Sequence, residues 1–440
     1  GYKLDTNGKE FTMNMSSQGY LNDFTSYSKG LKDDAYTCGI ELKKYDTLSG
    51  EELATASFKI QENINNKLYD VGMLVYDENN KVYKTSATQT YIFRNSSGSV
   101  VKSVSGTDTP LRATSANQGR YYIVETNKPN ENYTDLFTKN IIVKPSEDGY
   151  IYKYDNYNHG NGNAAYNIGK KIRVITSKYD AITKELLPSS NVATMTLYEY
   201  NSYSGEWQIL GNMEYDSDNS QYVLDGNKFY TPHIEDGSDS IASVGATYKP
   251  GYLYYTSVNK GQFKVVETKA PVNYLLGMLD VKTLDLKVYE KTFNIDETVT
   301  DGQVIDFTDK SNAAYDTGIP VNLKLEKYDT LSGDKISTGD AVFTIYENIN
   351  NEWYTVGNLI YNTTDNIYTS KGMTISLHNS NGDVIYTEKQ ANALYYTTAN
   401  QGKYKVVETK APDKYLNDGF EKEFNITTDS INDEVNLVGM

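Results

Sequence analysis

The stretch Lys44-Tyr-Asp-Thr-Leu-Ser-Gly50 decides how this chain folds, because it returns unchanged as Lys327-Tyr-Asp-Thr-Leu-Ser-Gly333. A third version, Lys178-Tyr-Asp-Ala-Ile-Thr183, lies between them. Each opening is followed at long range by a second shared block: Val124-Glu-Thr-Asn-Lys-Pro129, Val266-Glu-Thr-Lys-Ala-Pro271 and Val407-Glu-Thr-Lys-Ala-Pro412. Glu125 stands 81 residues after Lys44, and Glu408 stands 81 after Lys327. Glu267 stands 89 after Lys178, so the middle copy carries an insertion. Two blocks at matched spacing mark three homologous units.

The joints recur as well: Ala35-Tyr-Thr-Cys-Gly39, Ala165-Tyr-Asn-Ile-Gly169 and Ala314-Tyr-Asp-Thr-Gly318 each precede a new opening. They divide the chain into units at 35–163, 164–312 and 313–440. Residues 1–34 read as the tail strands of a preceding repeat, since Lys9-Glu-Phe-Thr-Met and Gly19-Tyr-Leu-Asn-Asp-Phe-Thr-Ser echo Lys291-Thr-Phe-Asn-Ile and Gly302-Gln-Val-Ile-Asp-Phe-Thr-Asp. The expectation is a segment of a longer tandem array, with a cut within the last strand as one reading of how the third unit ends.

Inside each unit the pattern is β. Alternating runs such as Phe58-Lys-Ile-Gln-Glu and Val342-Phe-Thr-Ile-Tyr-Glu are bounded by Asn, Asp and Gly turns. Asn65-Asn66 and Asn381-Gly382 suit hairpins. Long helical periodicity is missing. The predicted fold is all-β: tandem immunoglobulin-like or prealbumin-like antiparallel sandwiches.

Composition narrows function. The 440 residues carry 42 basic and 58 acidic side chains, a formal charge of −16, which argues against nucleic acid as a partner. Tyr is abundant, at 41 residues, so the chain is too aromatic for a disordered one. A single Cys, Cys38, allows no internal disulfide, and the three His residues (159, 233 and 378) lie far apart. No metal or cofactor is expected. Asp216-Ser-Asp-Asn-Ser lacks the later positions of a calcium loop and reads as a hairpin turn. Gly160-Asn-Gly-Asn lacks the strand-to-helix context of a phosphate loop and reads as a flexible linker. No apolar run approaches the roughly 18 residues of a membrane span.

The recurrent Lys and Glu are the candidates for chemistry. Both lie on apolar strands. Turned inward, each charge costs several kcal/mol unless paired or neutralised. Burial raises a carboxyl pKa and lowers an amine pKa, which favours neutral acid beside neutral amine. A neutral amine is a nucleophile, and a protonated carboxyl can polarise a carbonyl. A third group, an amide or acid, would complete a reaction. Seven residues past the Gly of each closing strand stand Asn156 and Asp309, with Asp155 the fallback in the first unit.

This constellation resembles the collagen-adhesin B-type (Cna-B, prealbumin-like) domains of Gram-positive surface proteins, especially the SpaA-type pilins. The Lys-x-Asp opening and the Val-Glu-Thr-Lys-Ala-Pro box carry the resemblance, which spans nearly the whole chain. It implies that Lys and a closing-strand Asn or Asp condense into an intramolecular isopeptide bond, with Glu as proton shuttle. The implied triads are Lys44–Glu125–Asn156 and Lys178–Glu267–Asp309. The third unit offers Lys327 and Glu408; its acceptor lies further on, or is Asn436 in a shifted register, or is missing. Ser26, at the same position of the N-terminal remnant, cannot form such a bond.

The resemblance also implies a stalk or pilus-like segment on the outside of a Gram-positive cell wall, packed against neighbouring repeats and without turnover beyond self-condensation. Neither a Tyr-Pro-Lys pilin motif nor a Leu-Pro-x-Thr-Gly sorting signal is present. The alternative is an adhesin module binding host glycan or matrix protein, with the insertion at 226–260 (Tyr230, Tyr248, Tyr252) as its surface.

Overall fold

The computed structural model describes residues 2–3, 27, 32–240, 248–280, 282–430 and 435–436. Most of the N-terminal remnant, Ser26 included, lies outside them.

Each unit is two sheets around its own apolar core. In unit 1, Ser57–Ile64 pairs antiparallel with Lys67–Met73 on one side and Arg120–Asn127 on the other; Thr138–Ile142 completes the sheet. Alternation explains which side chains face inward: Phe58, Ile60, Glu62 and Ile64 are buried, whereas their neighbours along the strand are partly exposed. Asn65 and Asn66 both take positive φ (50° and 65°), the tight hairpin geometry that Asn tolerates. The same four-stranded order recurs around Thr194–Asn201 and Val342–Ile349.

The facing sheet is built on the opening strand. Thr37–Leu42 pairs antiparallel with Val82–Lys84 and Leu111–Arg112. The closing strand Tyr150–Tyr154 lies parallel to it, Tyr152 opposite Ile40. Unit 2 repeats this with Gln303–Phe307 beside Lys171–Thr176. Unit 3 repeats it with Val435–Asn436 beside Leu323–Leu325. First and last strands of a unit are thus neighbours running the same way, in otherwise antiparallel sheets.

Three clusters of buried residues correspond to the three units, around Ile40, Phe58 and Tyr121, around Val174, Leu197 and Phe263, and around Leu323, Phe343 and Tyr404. Cys38 is wholly buried in the first, and burial pushes its thiol up to about 12, so it is held as an inert thiol. Tyr230 and Tyr248 are 1% and 6% exposed. They pack the second unit rather than facing solvent. Tyr252 lies half-buried under Arg173 and Lys171.

The Gly160-Asn-Gly-Asn segment is not a loose linker. Gly162 N–H donates to Tyr157 O (3.1 Å), and Tyr166 Oη donates to Tyr157 O (2.6 Å). The chain then re-enters unit 1. Ala165–Asn167 lies parallel to Lys44–Asp46, Lys44 opposite Ala165 and Asp46 opposite Asn167. In the next unit, Ala314–Asp316 lies parallel to Lys178–Asp180 in the same register. These two joint segments, which sequence places at the start of units 2 and 3, are paired with the opening strand of the unit before. Ala165 and Ala314 are fully buried in those cores.

Candidate functional site

The short strand Lys44–Asp46 is buried at all three positions. Lys44 points into the space between the sheets, its Nζ 5.7 Å and 5.6 Å from the ring centres of Phe58 and Phe137. Glu125 reaches the same space from the opposite sheet, and its Oε2 lies 3.0 Å from Lys44 Nζ. Neither side chain has measurable solvent exposure. Glu125 Oε2 also accepts from Phe137 N (2.7 Å) and from Asn167 Nδ2 (3.1 Å). Amine, carboxyl and carboxamide thus meet in one dry pocket.

Unit 2 holds the same arrangement with an acid in place of the amide. Lys178 Nζ contacts Glu267 and lies 2.5 Å from Asp316 Oδ1. Asp316 Oδ1 also accepts from Gly277 N (2.8 Å). Glu267 and Asp316 have no exposed side-chain surface.

Burial drives the electrostatics. It lowers the Lys44 amine to about 8 against the opposing pull of Glu125. It raises the Glu267 carboxyl to about 8, helped by the neighbouring Asp316 charge and opposed by Lys178. A buried amine near neutrality is a competent nucleophile, and a carboxyl that holds its proton near neutrality can give it up to a leaving group. Glu125 Oε1, Asn167 Oδ1, Glu267 Oε1 and Asp316 Oδ2 are buried without a hydrogen-bond partner. Four orphaned acceptors in two pockets are costly unless a proton sits among them, which suits a neutral acid.

The acceptors expected from sequence stand elsewhere. Asn156 is exposed just past the closing strand, its N–H bonded to Asn163 Oδ1 (2.9 Å). Asp155 is exposed too. Asp309 is exposed and accepts from Ser311 N (2.8 Å) and Ser311 Oγ (2.5 Å). The physical reason is the length of the closing strands, which end at Tyr154 and Phe307. The group that meets the Lys belongs to the separate strand that follows. Asn167 and Asp316 are the residues missed, each third in an Ala-Tyr-x segment. The signal was present in that motif, whose third position carries an amide or an acid in both internal joints.

In unit 3, Lys327 Nζ lies 2.8 Å from Glu408 Oε2, and the Lys side chain keeps 16% exposure. Asp418 Oδ1 stands 4.0 Å from the amine but is itself 59% exposed. Asn436 pairs with Lys324 on the closing strand, the register that Lys153 holds opposite Glu41 in unit 1. It is not on the strand that carries Asn167 and Asp316. A strand pairing with Lys327 is not among the described residues.

Among the described residues no cluster of His, Cys, Asp and Glu could hold a metal ion, and no helix is long and apolar enough to cross a membrane. No family model and no curated protein matches the chain. Solved structures do. The Bacillus anthracis TIE protein matches over 90% of this chain at 15% identity with a TM-score of 0.38, and the chain spans half of that protein's length. The Bacillus cereus major pilin subunit BcpA matches over 90% of this chain and 97% of its own, at 13% identity and TM-score 0.26. A shaft pilin SpaA variant of Lactobacillus rhamnosus GG matches over 64% of this chain and 99% of its own, at 15% identity and TM-score 0.20.

Proposed function

We propose that this chain is a load-bearing stalk segment of a Gram-positive cell surface, in which units 1 and 2 close themselves by Lys44–Asn167 and Lys178–Asp316 amide bonds. The observation that carries this reading is the pair of buried triads, Lys44–Glu125–Asn167 and Lys178–Glu267–Asp316, built on the same register in both units.

In unit 1 the neutral Lys44 amine attacks Asn167 Cγ. The Nζ–Cγ bond forms, the Cγ–Nδ2 bond breaks, and Glu125 passes the amine proton to the departing nitrogen, which leaves as ammonia. In unit 2 Lys178 attacks the Asp316 carboxyl, Glu267 relays the proton, and water leaves. Product formation also replaces a buried, titratable amine by a neutral amide that cannot be protonated, so no ammonium has to be desolvated in the core. Each site reacts once.

The pairing of first strand with acceptor strand suits a stalk. Tension entering at one end of a unit passes through the cross-link to the other without loading the strands between. Two of the three tyrosines on which the adhesive alternative was placed, Tyr230 and Tyr248, are spent on packing, which favours the stalk reading. A protease digest followed by tandem mass spectrometry tests the pairing. It is expected to yield two branched peptides, one joining Lys44 to Asn167 and one joining Lys178 to Asp316. Branches at Asn156 or Asp309, or linear peptides only, would overturn it.

A further inference from the structure

The Asp two residues beyond each reactive Lys is buried yet takes no part in the triads. Asp46 Oδ1 accepts from Leu48 N (2.9 Å) and Ser49 N (3.0 Å), closing the turn of its own unit. Its Oδ2 accepts from Tyr133 Oη (2.8 Å) and, across the joint, from Ser257 N of unit 2 (2.8 Å). Asp180 repeats every contact. Oδ1 accepts from Ile182 N (2.7 Å) and Thr183 N (3.0 Å), while Oδ2 accepts from Tyr274 Oη (2.9 Å) and from Thr398 N of unit 3 (2.8 Å). Both carboxylates are 0% exposed.

The surroundings are duplicated too. Ser49 Oγ and Ser257 Oγ lie 2.7 Å apart at the first joint, and Thr183 Oγ1 and Thr398 Oγ1 lie 2.7 Å apart at the second. Tyr133 meets Tyr255 edge to face at 5.4 Å, and Tyr274 meets Tyr396 at 5.3 Å. The loops that present the N–H groups are held rigid from within: Asn259 and Asn400 accept from Thr256 N and Thr397 N (3.0 Å each) and donate to buried Glu199 and Glu347 (2.8 Å each). The backbone at each joint also packs closely, because a Cβ on Gly169 or Gly318 would meet a carbonyl oxygen at 2.0 Å or 1.8 Å.

We propose that Asp46 and Asp180 are inter-unit clasps, each fixing the next repeat at one angle by offering a single buried carboxylate to its own turn and to its neighbour's loop. Covalently joined domains tilt and swivel unless their interface prevents it. A buried anion shared by four donors, two of them N–H groups of its own turn and one from the adjoining unit, gives such an interface directionality. This goes beyond the cross-link reading and does not require it. The third copy gives a comparison within residues 1–440. Asp329 makes the same turn through Leu331 N (2.8 Å) and Ser332 N (3.0 Å), yet Leu331, the counterpart of buried Leu48 and Ile182, is 98% exposed. Among the described residues Asp329 accepts from its own turn and bonds neither of the other two units.

The test uses the full chain with Asp46→Asn or Asp180→Asn. Either orientation of the new amide turns an NH2 group against N–H donors, so the shared acceptor is lost while size is kept. Spin labels go on Ser96→Cys and Ser217→Cys for the first joint, and on Ser217→Cys and Thr364→Cys for the second; Cys38 is buried away from the reagent. Pulsed dipolar spectroscopy should show the distance distribution across the altered joint broadening, as domain motion is released, with the other joint unchanged. Asp329→Asn should leave both distributions as they were. Unchanged widths in Asp46→Asn and Asp180→Asn would overturn the clasp. So would equal broadening by Asp329→Asn. Intact mass on the same samples reports the cross-links separately, so failure of one idea is distinguishable from failure of the other.

Discussion

Glu267→Gln is expected to lower the unfolding midpoint of unit 2 by roughly 15–20 °C while leaving the transition of unit 3 in place. The substitution keeps the volume of the side chain but removes the carboxyl proposed to carry a proton from Lys178 to the departing oxygen of Asp316. Without the bond, the unfolded chain regains the freedom of a loop running from residue 178 to residue 316. On the chain-entropy treatment of cross-links that freedom is worth about 5 kcal/mol, and a domain of this size converts each kcal/mol into about 4 °C. Glu125→Gln should do the same to unit 1. Differential scanning calorimetry checks both, with unit 3 as internal reference. A midpoint shift of only a few degrees would contradict a bond in unit 2 that depends on Glu267.

Force gives the second large effect. Tension entering unit 1 on the opening strand reaches Lys44 and, with the bond in place, leaves through Asn167. The residues between them are bypassed. Single-molecule pulling on the intact chain should therefore show no unfolding step from unit 1 or unit 2. In Lys44→Ala or Lys178→Ala the bypassed segment becomes extensible, and the opened unit should release about 400–500 Å of contour at 3.3–3.6 Å per residue, the larger step in Lys178→Ala. The contrast is between no step and a full-length step. Steps of that size in the unsubstituted chain would show that the units are not closed.

How much of this was legible in the sequence differs from residue to residue. The Lys–Glu pairs were, because internal repetition supplies the comparison that a single sequence otherwise lacks. Three openings and three boxes at matched spacing place Lys44 with Glu125, Lys178 with Glu267 and Lys327 with Glu408, and all three pairs are in contact. The all-β class followed from period-two alternation and from turn residues such as Asn65-Asn66. Asn167 and Asp316, the acceptors proposed here, did not emerge from counting along the closing strand, because that strand ends before the Lys is reached. The chain crosses residues 155–164 in unit 1 but only 308–313 in unit 2 before the acceptor strand begins. Unequal crossings hide a register that the structure keeps constant.

The joint motif held the missing information and also a false lead. Ala165 and Ala314 each stand thirteen residues before their unit's Lys, whereas Ala35 stands nine before Lys44. The first match is therefore not structurally equivalent: Asp34–Ala35 pairs with Tyr2–Lys3 and not with an opening Lys. The role of Asp46 and Asp180 was invisible for another reason. A buried Asp in a Lys-Tyr-Asp turn looks like local turn chemistry, and its second partner lies 211 or 218 residues away.

The most direct measurement is the intact mass of the unfolded chain beside the Lys44→Ala and Lys178→Ala variants. The unsubstituted chain should be lighter than its sequence by one ammonia and one water. Lys44→Ala should restore only the ammonia, and Lys178→Ala only the water. A chain at its full sequence mass would contradict the covalent stalk and leave three sandwiches held by packing alone.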